Sequence, residues 1–379
     1  MKDNSTGRTR RNFVFGAAAL AFSPYTLAAP AIAALPRDAT KAMRGKALDF
    51  MARYNVPGMA VAIARNGRLE FSAGFGSADK DAGAPVSDNS RFRIASLSKP
   101  ITSTAIFSLI EAGAIRLDDR VFGEGGVLGN RYGPLRDPRV ANITVDHLLT
   151  HTGGGWPNDR HDPMFSEPRL GADKLISSTV GTRPLNTDPG THYAYSNFGY
   201  CILGRIIETV SGQSYSAYTR QRILRPSGIK SMRIAGNRRS DRARGEVSYY
   251  AQNDGNPYGM NVARMDAHGG WIASAPDLVR FLTHVDRFNS VRDILKKRTV
   301  KKMTTASSTS PNYARGWGVN TIGNWWHTGS LPGTTAVMVR TSGGFCWAAL
   351  ANSRVPNSQI NLHQDQLIWN MVRSVPGWL

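Results

Sequence analysis

Apolar residues in M-A-V-A-I-A-R-N-G-R-L-E-F-S-A-G-F-G, Met59 to Gly76, form two extended runs separated by Asn66-Gly67. Asn-Gly readily adopts the two positive-φ conformations of a tight hairpin turn, so the segment predicts a pair of antiparallel strands. Helical spacing over Lys41 to Tyr54 precedes it. From Ile94 to about Ser231 the apolar positions recur mostly at helical spacing, interrupted by loops such as G-E-G-G-V-L-G-N-R-Y-G-P and T-G-G-G-W-P-N-D-R-H-D-P. Alternation returns from Trp317, in G-V-N-T-I, T-A-V-M-V-R and F-C-W-A-A-L-A, with T-S-G-G as the turn before the last run. Connections this short join antiparallel neighbours, because a parallel crossover needs a dozen residues or more. Ser358 to Val375 closes the chain as an amphipathic helix, with Ile360, Leu367, Ile368 and Met371 on its apolar face. Strands at both ends of a helical middle predict an α+β fold: an antiparallel β-sheet flanked by helices, with an inserted mainly helical domain. The sheet domain draws on residues 34–93 and 255–379, and the helical domain on 94–254.

Composition leaves this picture intact. At 379 residues, 41% hydrophobic and 20% charged, the chain has enough apolar material for a sizeable core and no disordered signature. The N-terminus changes more. T-R-R-N-F-V-F, Thr9 to Phe15, leads into the apolar run G-A-A-A-L-A-F and then small residues ending A-I-A at Ala31 to Ala33. That order reads as a cleaved export signal over residues 1–33, of twin-arginine type, and implies a periplasmic or secreted protein. Ser23, Pro24 and Pro30 interrupt the segment, whereas a stable membrane span wants about 20 continuous apolar residues.

The formal charge is +20; the segment to be removed carries Lys2, Arg8, Arg10 and Arg11 against Asp3, so cleavage takes off three charges and leaves +17. A surface this basic is drawn to anionic polymers such as cell-envelope glycan, acidic lipid or nucleic acid, or is simply a solvated basic face. The arginines are scattered, densest over Asn237 to Arg244, and lack the aromatic interleaving of a nucleic-acid site. Cys201 and Cys346 have no metal-type spacing and lie in apolar runs, so both read as buried thiols. His147 and His151 are four apart, but H-L-L-T-H lacks the glutamate of a zinc peptidase and reads as structural. No cofactor or metal is called for.

The chemistry sits in F-R-I-A-S-L-S-K-P, Phe92 to Pro100. Residues three apart on a helix share a face, so Ser96 and Lys99 should meet, and Pro100 places them in an opening turn. A lysine pressed into apolar surroundings is costly unless paired or lowered in pKa, and a lowered lysine beside a serine forms a nucleophile and its base. S-x-x-K alone is common. Here Y-S-N, Tyr195 to Asn197, follows about a hundred residues later, and H-T-G, His327 to Gly329, follows that at the start of a strand pattern.

In this order the three motifs resemble the serine β-lactamase and penicillin-binding-protein-like family, specifically the class C β-lactamase, DD-carboxypeptidase and esterase branch. I-T-V-D-H-L-L-T-H-T-G-G, P-G-T-H-Y-A-Y-S-N-F-G-Y and G-G-W-I-A-S-A-P-D-L-V-R-F extend the resemblance over nearly the whole mature chain. It implies a β-lactamase/transpeptidase-like fold and acyl transfer through Ser96, with Lys99 and Tyr195 sharing the proton transfers as a coupled pair. It assigns the oxyanion donors to the backbone N–H groups of Ser96 and Ser330, and gives Asn197 to Lys99 or the substrate amide. Thr328 and His327 would line a substrate edge, with Gly329 allowing close approach. A second H-T-G, at His151, precedes the tyrosine motif and does not match by order. A true class C enzyme has lysine where His327 stands, and histidine, with its ordinary pKa of about 6.5, is mostly neutral at pH 7. The substrate implied is therefore an ester or D-amino-acid peptide ahead of a β-lactam, with a penicillin-binding sensor as the alternative of another class. Trp156, Trp317, Trp325 and Trp326 are candidates for an acyl pocket or for core.

Overall fold

The computed structural model describes residues 35–253, 255–356 and 358–379. The proposed export segment lies outside the described residues. Residues 32–379 form one compact unit.

The Asn66-Gly67 turn is where the sequence puts it, with both residues at positive φ. It joins β1 (Gly58–Arg65) to β2 (Arg68–Asp79), pairing Val61 with Ala73. The short β3 (Ala84–Pro85) follows. The three C-terminal runs supply β7 (Gly318–Val319), β9 (Thr334–Arg340) and β10 (Phe345–Ala351), and the H-T-G segment between the first two forms a further strand, β8 (Trp325–Leu331). These seven strands make one antiparallel sheet in the order β3-β2-β1-β10-β9-β8-β7, so the two ends of the chain meet where β1 pairs with β10. A smaller sheet, in the order β4-β6-β5, consists of β4 (Phe92–Arg93), β5 (Arg233–Ile234) and β6 (Trp271–Ala273).

Both faces of the central strands are covered, which is why β9 and β10 read as unbroken apolar runs. On one face Val61, Ile63, Trp347 and Ala349 pack against α1 (Arg37–Tyr54) and the C-terminal helix α10 (Ile360–Arg373), through Met43, Phe50, Ile368 and Met371. On the other, the small residues Ala60, Ala62 and Ala348 let α8 (Ala275–Thr283) approach through Leu278, Phe281 and Leu282. Each buried leucine or phenylalanine there stabilises by about 1.5–3 kcal/mol. That cluster runs on without a break into the helical region: α2 (Ser98–Glu111), α3 (Val145–Leu149), α4 (Pro163–Ser166), α5 (Ala172–Thr182), α6 (Asn197–Ser211) and α7 (Tyr215–Thr219). The short α9 (Lys297–Met303) packs on α2.

Six elements differ from the sequence reading. The first helix begins at Arg37, a turn before Lys41, because Pro36 stands at its N-cap and Asp38 favours the positive helix start. The run G-V-N-T-I yields only the two-residue β7, since Asn320 to Asn324 close a turn through the Asn324 N–H bond to the Asn320 side chain. Between residues 232 and 316, where no element is assigned from periodicity, lie β5, β6, α8 and α9. Both cysteines are buried free thiols. No helix among the described residues is long and apolar enough to cross a membrane.

Candidate active site

Ser96 lies in a 3-10 turn, Ala95–Leu97, between β4 and α2. The turn is anchored at both ends. The Ile94 N–H donates to the Trp271 carbonyl at 3.0 Å, and the Ser98 hydroxyl donates to the Ala95 carbonyl at 2.7 Å. Ala95 takes φ +49°, the left-handed region that ordinarily costs a side-chain-bearing residue 1–2 kcal/mol, about the strain that functional turns store. β8 lies directly against this turn. A Cβ on Gly329 would stand 2.3 Å from the Ile94 carbonyl oxygen and 3.2 Å from Ala95 Cβ, so only glycine lets the H-T-G strand approach the serine this closely.

Lys99 is completely buried on the first turn of α2. Its Nζ lies 3.0 Å from Ser96 Oγ, 2.8 Å from Asn197 Oδ1 and 3.0 Å from the His268 carbonyl oxygen. Burial drives its pKa well below the ordinary lysine value, opposed only by the Asp162 carboxylate. In the neutral amine, the Asn197 and His268 oxygens take the two N–H bonds and the lone pair is left facing the Ser96 hydroxyl. That is the geometry of a general base.

The other motif residues converge on the same point. Tyr195 bonds the Ser96 side chain through its hydroxyl; burial raises its pKa strongly, with the Ser96 bond pulling the other way. Lys99 Nζ lies over the face of the Tyr195 ring, 4.7 Å from the centroid, with its bonds directed to other oxygens. Burial thus favours the neutral amine of Lys99 and the protonated phenol of Tyr195. Asn197 opens α6, just after the Ser196 N-cap, and its Nδ2 donates to Asp162 Oδ2 at 2.8 Å and to Asn158 Oδ1 at 3.0 Å. Those two acceptors fix the amide so that its oxygen faces Lys99.

His327 is buried on β8, while Thr328 and Ser330 present exposed side chains from the same strand. β7 pairs only with Trp325 and Trp326, so the outer edge of β8 from His327 onward has no strand partner among the described residues. This leaves an edge on which an extended acyl group can lie. Burial and the nearby Lys99 lower the His327 pKa to about 3.

Residues beyond the motifs complete the cluster. His151, read from sequence as structural, stacks on Tyr195 with ring centroids 4.3 Å apart, and Tyr313 lies between His151 and His327. Asp162 and His268 touch Asn197 and Lys99 as described. None of the four had a local spacing to reveal it, although H-T-G at His151 was a visible signal. Trp156, Trp317 and Trp325 are buried, Trp317 stacked on Phe281, and Trp326 packs into the cluster beneath α1 and α10. The core alternative holds for these tryptophans.

The chain matches the sequence profile of the family described as Beta-lactamase over residues 43–367. It is 29% identical to Esterase EstB of Burkholderia gladioli over 59% of this chain and 58% of the esterase, so it spans less than two thirds of that relative's length. It is 27% identical to penicillin-binding protein 4 of Amycolatopsis lactamdurans over 80% of this chain and 83% of that protein. Among solved structures, the octameric penicillin-binding protein homologue of Pyrococcus abyssi superposes with a TM-score of 0.71 at 25% identity, covering 89% of this chain and 79% of that one. The D-amino acid amidase of Ochrobactrum anthropi shares the fold with a TM-score of 0.72 at 24% identity, over 89% and 98% of the two chains. With the family profile spanning most of its length and an antiparallel sheet flanked by helices as its frame, this chain belongs to the beta-lactamase family of serine hydrolases.

Proposed function

We propose that the protein is an exported hydrolase of uncharged esters or amides that works through an acyl-Ser96 intermediate, in the branch carrying S-x-x-K, Y-x-N and H-T-G. The observation that carries it is the buried Lys99 amine, with two carbonyl-type acceptors behind it and the Ser96 oxygen 3.0 Å in front. Neutral Lys99 takes the Ser96 proton as Oγ bonds to the substrate carbonyl carbon. The backbone N–H groups of Ser96 and Ser330 hold the oxyanion, each such donor worth about 10²–10³ in rate. Tyr195, kept protonated, gives its proton to the departing alkoxide or amine as the carbonyl reforms, and regains one from the Lys99 ammonium. Water then attacks the acyl carbonyl carbon as Lys99 takes its proton, and Ser96 Oγ regains that proton from the Lys99 ammonium as the C–Oγ bond breaks and the acid leaves.

Substrate charge follows from His327. A β-lactam or a peptide ending in a free carboxylate wants a cation at that position, and the buried, neutral imidazole supplies none. Relatives named as an esterase and a penicillin-binding protein support acyl transfer without choosing between ester and amide.

The test is a panel of short-chain p-nitrophenyl esters, D-amino-acid amides, a D-Ala-D-Ala peptide and a cephalosporin, with intact mass recorded during turnover. Fastest hydrolysis of the uncharged compounds, with a transient adduct that Ser96→Ala abolishes, is expected. A permanent adduct with no turnover would make the protein a sensor, and labelling that survives Ser96→Ala would displace the nucleophile. Export is tested separately: replacing Arg10 and Arg11 by lysine should retain the precursor in the cytoplasm, and undiminished export would remove the twin-arginine reading.

A further inference from the structure

One chain of hydrogen bonds in the site has no part in the proton transfers described above. It runs from the backbone of the Y-S-N segment to the H-T-G strand through three rings. The Ser196 N–H donates to His151 Nδ1 at 3.1 Å. That nitrogen must be an acceptor, so in the neutral ring Nε2 carries the proton and donates to the Tyr313 hydroxyl at 3.1 Å. At the far end, His327 Nδ1 lies 2.6 Å from the Thr328 carbonyl oxygen, which can only accept. Nδ1 is therefore the protonated nitrogen of His327, and the neutral ring offers Nε2 as an acceptor to Tyr313, 3.1 Å away. The Tyr313 proton therefore has His327 Nε2 as an acceptor. The neighbouring Tyr200 hydroxyl spends its own proton on the Leu149 carbonyl at 3.0 Å, and its oxygen also bonds the Tyr313 hydroxyl.

The tautomer of each ring is thus fixed by a group that cannot reverse, a backbone N–H at one end and a backbone carbonyl at the other. The chain is consistent with both imidazoles uncharged. Charging His327 would require Tyr313 to turn its proton away, and charging His151 would set a proton on Nδ1 against the Ser196 N–H. His151 and His327 are both buried, and the ionisable groups facing them are Lys99 from α2, Tyr195 from the loop before α6, Tyr193 from that same loop and Tyr200 from α6. No carboxylate is among these neighbours, so nothing beside the rings favours a positive charge. His151 also holds φ +59°, a strained backbone position that aims its ring at Tyr313.

We propose that Tyr313 is a positioning and specificity-determining residue, whose hydroxyl joins His151 and His327 into one uncharged relay and so keeps the substrate edge of β8 free of positive charge. Its consequence for substrate choice rests on the acyl-hydrolase reading above; the protonation state it sets does not.

The experiment has two arms. In the first, long-range ¹H–¹⁵N spectra of protein labelled in histidine are recorded from pH 5 to 8, with His327 and His151 assigned by substitution. His327 should remain a neutral Nδ1–H tautomer and His151 a neutral Nε2–H tautomer throughout. In Tyr313→Phe, the donor to neutral His327 is lost, and its titration midpoint should rise into that range. In the second arm, kcat/KM is compared for phenyl acetate and 4-carboxyphenyl acetate. The wild-type ratio should be flat with pH, while Tyr313→Phe should gain about threefold or more toward the carboxylate below pH 6, the scale of an exposed ion pair. An Nε2–H tautomer at wild-type His327, or a His327 titration midpoint that Tyr313→Phe leaves in place, would overturn the relay. Spectra as expected with no hydrolysis of either ester would uphold the relay and overturn only the proposed reaction.

Discussion

Lys99 owes its chemistry to what surrounds it, and the surroundings are specific enough to perturb one at a time. Asp162 is the carboxylate that favours its charged form, reaching it across the Asn197 amide. Removing that anion in Asp162→Asn lowers the Lys99 pKa further. In the proposed reaction the neutral amine is the reactive form, so the acid limb of the kcat/KM profile should then move to lower pH, while the loss of a fixed Asn197 orientation lowers the plateau. An acid limb moving to higher pH would contradict the assignment of Lys99 as base. Much of this was legible in the sequence. Ser96 and Lys99 announce each other by a three-residue spacing on a helix start, and Tyr195 and Asn197 by the Y-S-N motif that follows them in family order. Asp162, His268 and Tyr313 were not legible, because each comes from a separate loop, and single residues in loops carry no periodicity that ties them to a distant serine.

At the scale of elements, the site depends on β8 lying against the Ser96 turn, and Gly329 sets that distance. Gly329→Ala places a methyl 2.3 Å from the Ile94 carbonyl oxygen, a backbone atom that cannot rotate away. The strand and the turn must separate, so the variant should lose about 1–3 kcal/mol of stability, as overpacked sites do, and more than about tenfold in kcat/KM as the oxyanion donors part. Thermal unfolding and ester hydrolysis measured together check this, and an alanine variant with full activity would remove the close approach from the account. The strands themselves were well marked: the Asn66-Gly67 turn and the C-terminal alternation appear within a residue or two of their expected places. Helix α8 and the small sheet were missed because they are short. The strands β4, β5 and β6 are two or three residues long, too short to show alternation, and α8, although Leu278, Val279, Phe281 and Leu282 lie on its buried face, runs for only nine residues.

Over the whole molecule, the fold brings a sheet built from both chain ends against a helical region and buries ionisable groups along the junction. His151, His268 and His327 all have folded pKa values below the ordinary histidine value because burial penalises the cation. Unfolding lets each bind a proton as soon as the pH falls below about 6.5. Stability contributed by these groups is therefore complete above that pH and is lost as the pH drops, by about 1.4 kcal/mol per pH unit for each histidine kept neutral. Denaturant unfolding at pH 7.5, 6 and 5 should show a steady loss on this account, and stability rising between pH 7.5 and 5 would contradict it. Asp79, clasped by Ser248 and Arg242 and lowered to about 2, acts only at far lower pH, whereas Asp286, raised to about 6 by burial, binds its proton more readily when folded and offsets part of one histidine's loss below that pH. The same junction holds the amine on which the proposed reaction turns. The most direct test is a pH titration of the Lys99 ¹³Cε resonance in protein labelled at lysine and assigned with Lys99→Arg. The account predicts a midpoint far below those of the surface lysines, with neutral amine present where the enzyme is active; a Lys99 that stays an ammonium up to the pH at which surface lysines titrate would contradict it.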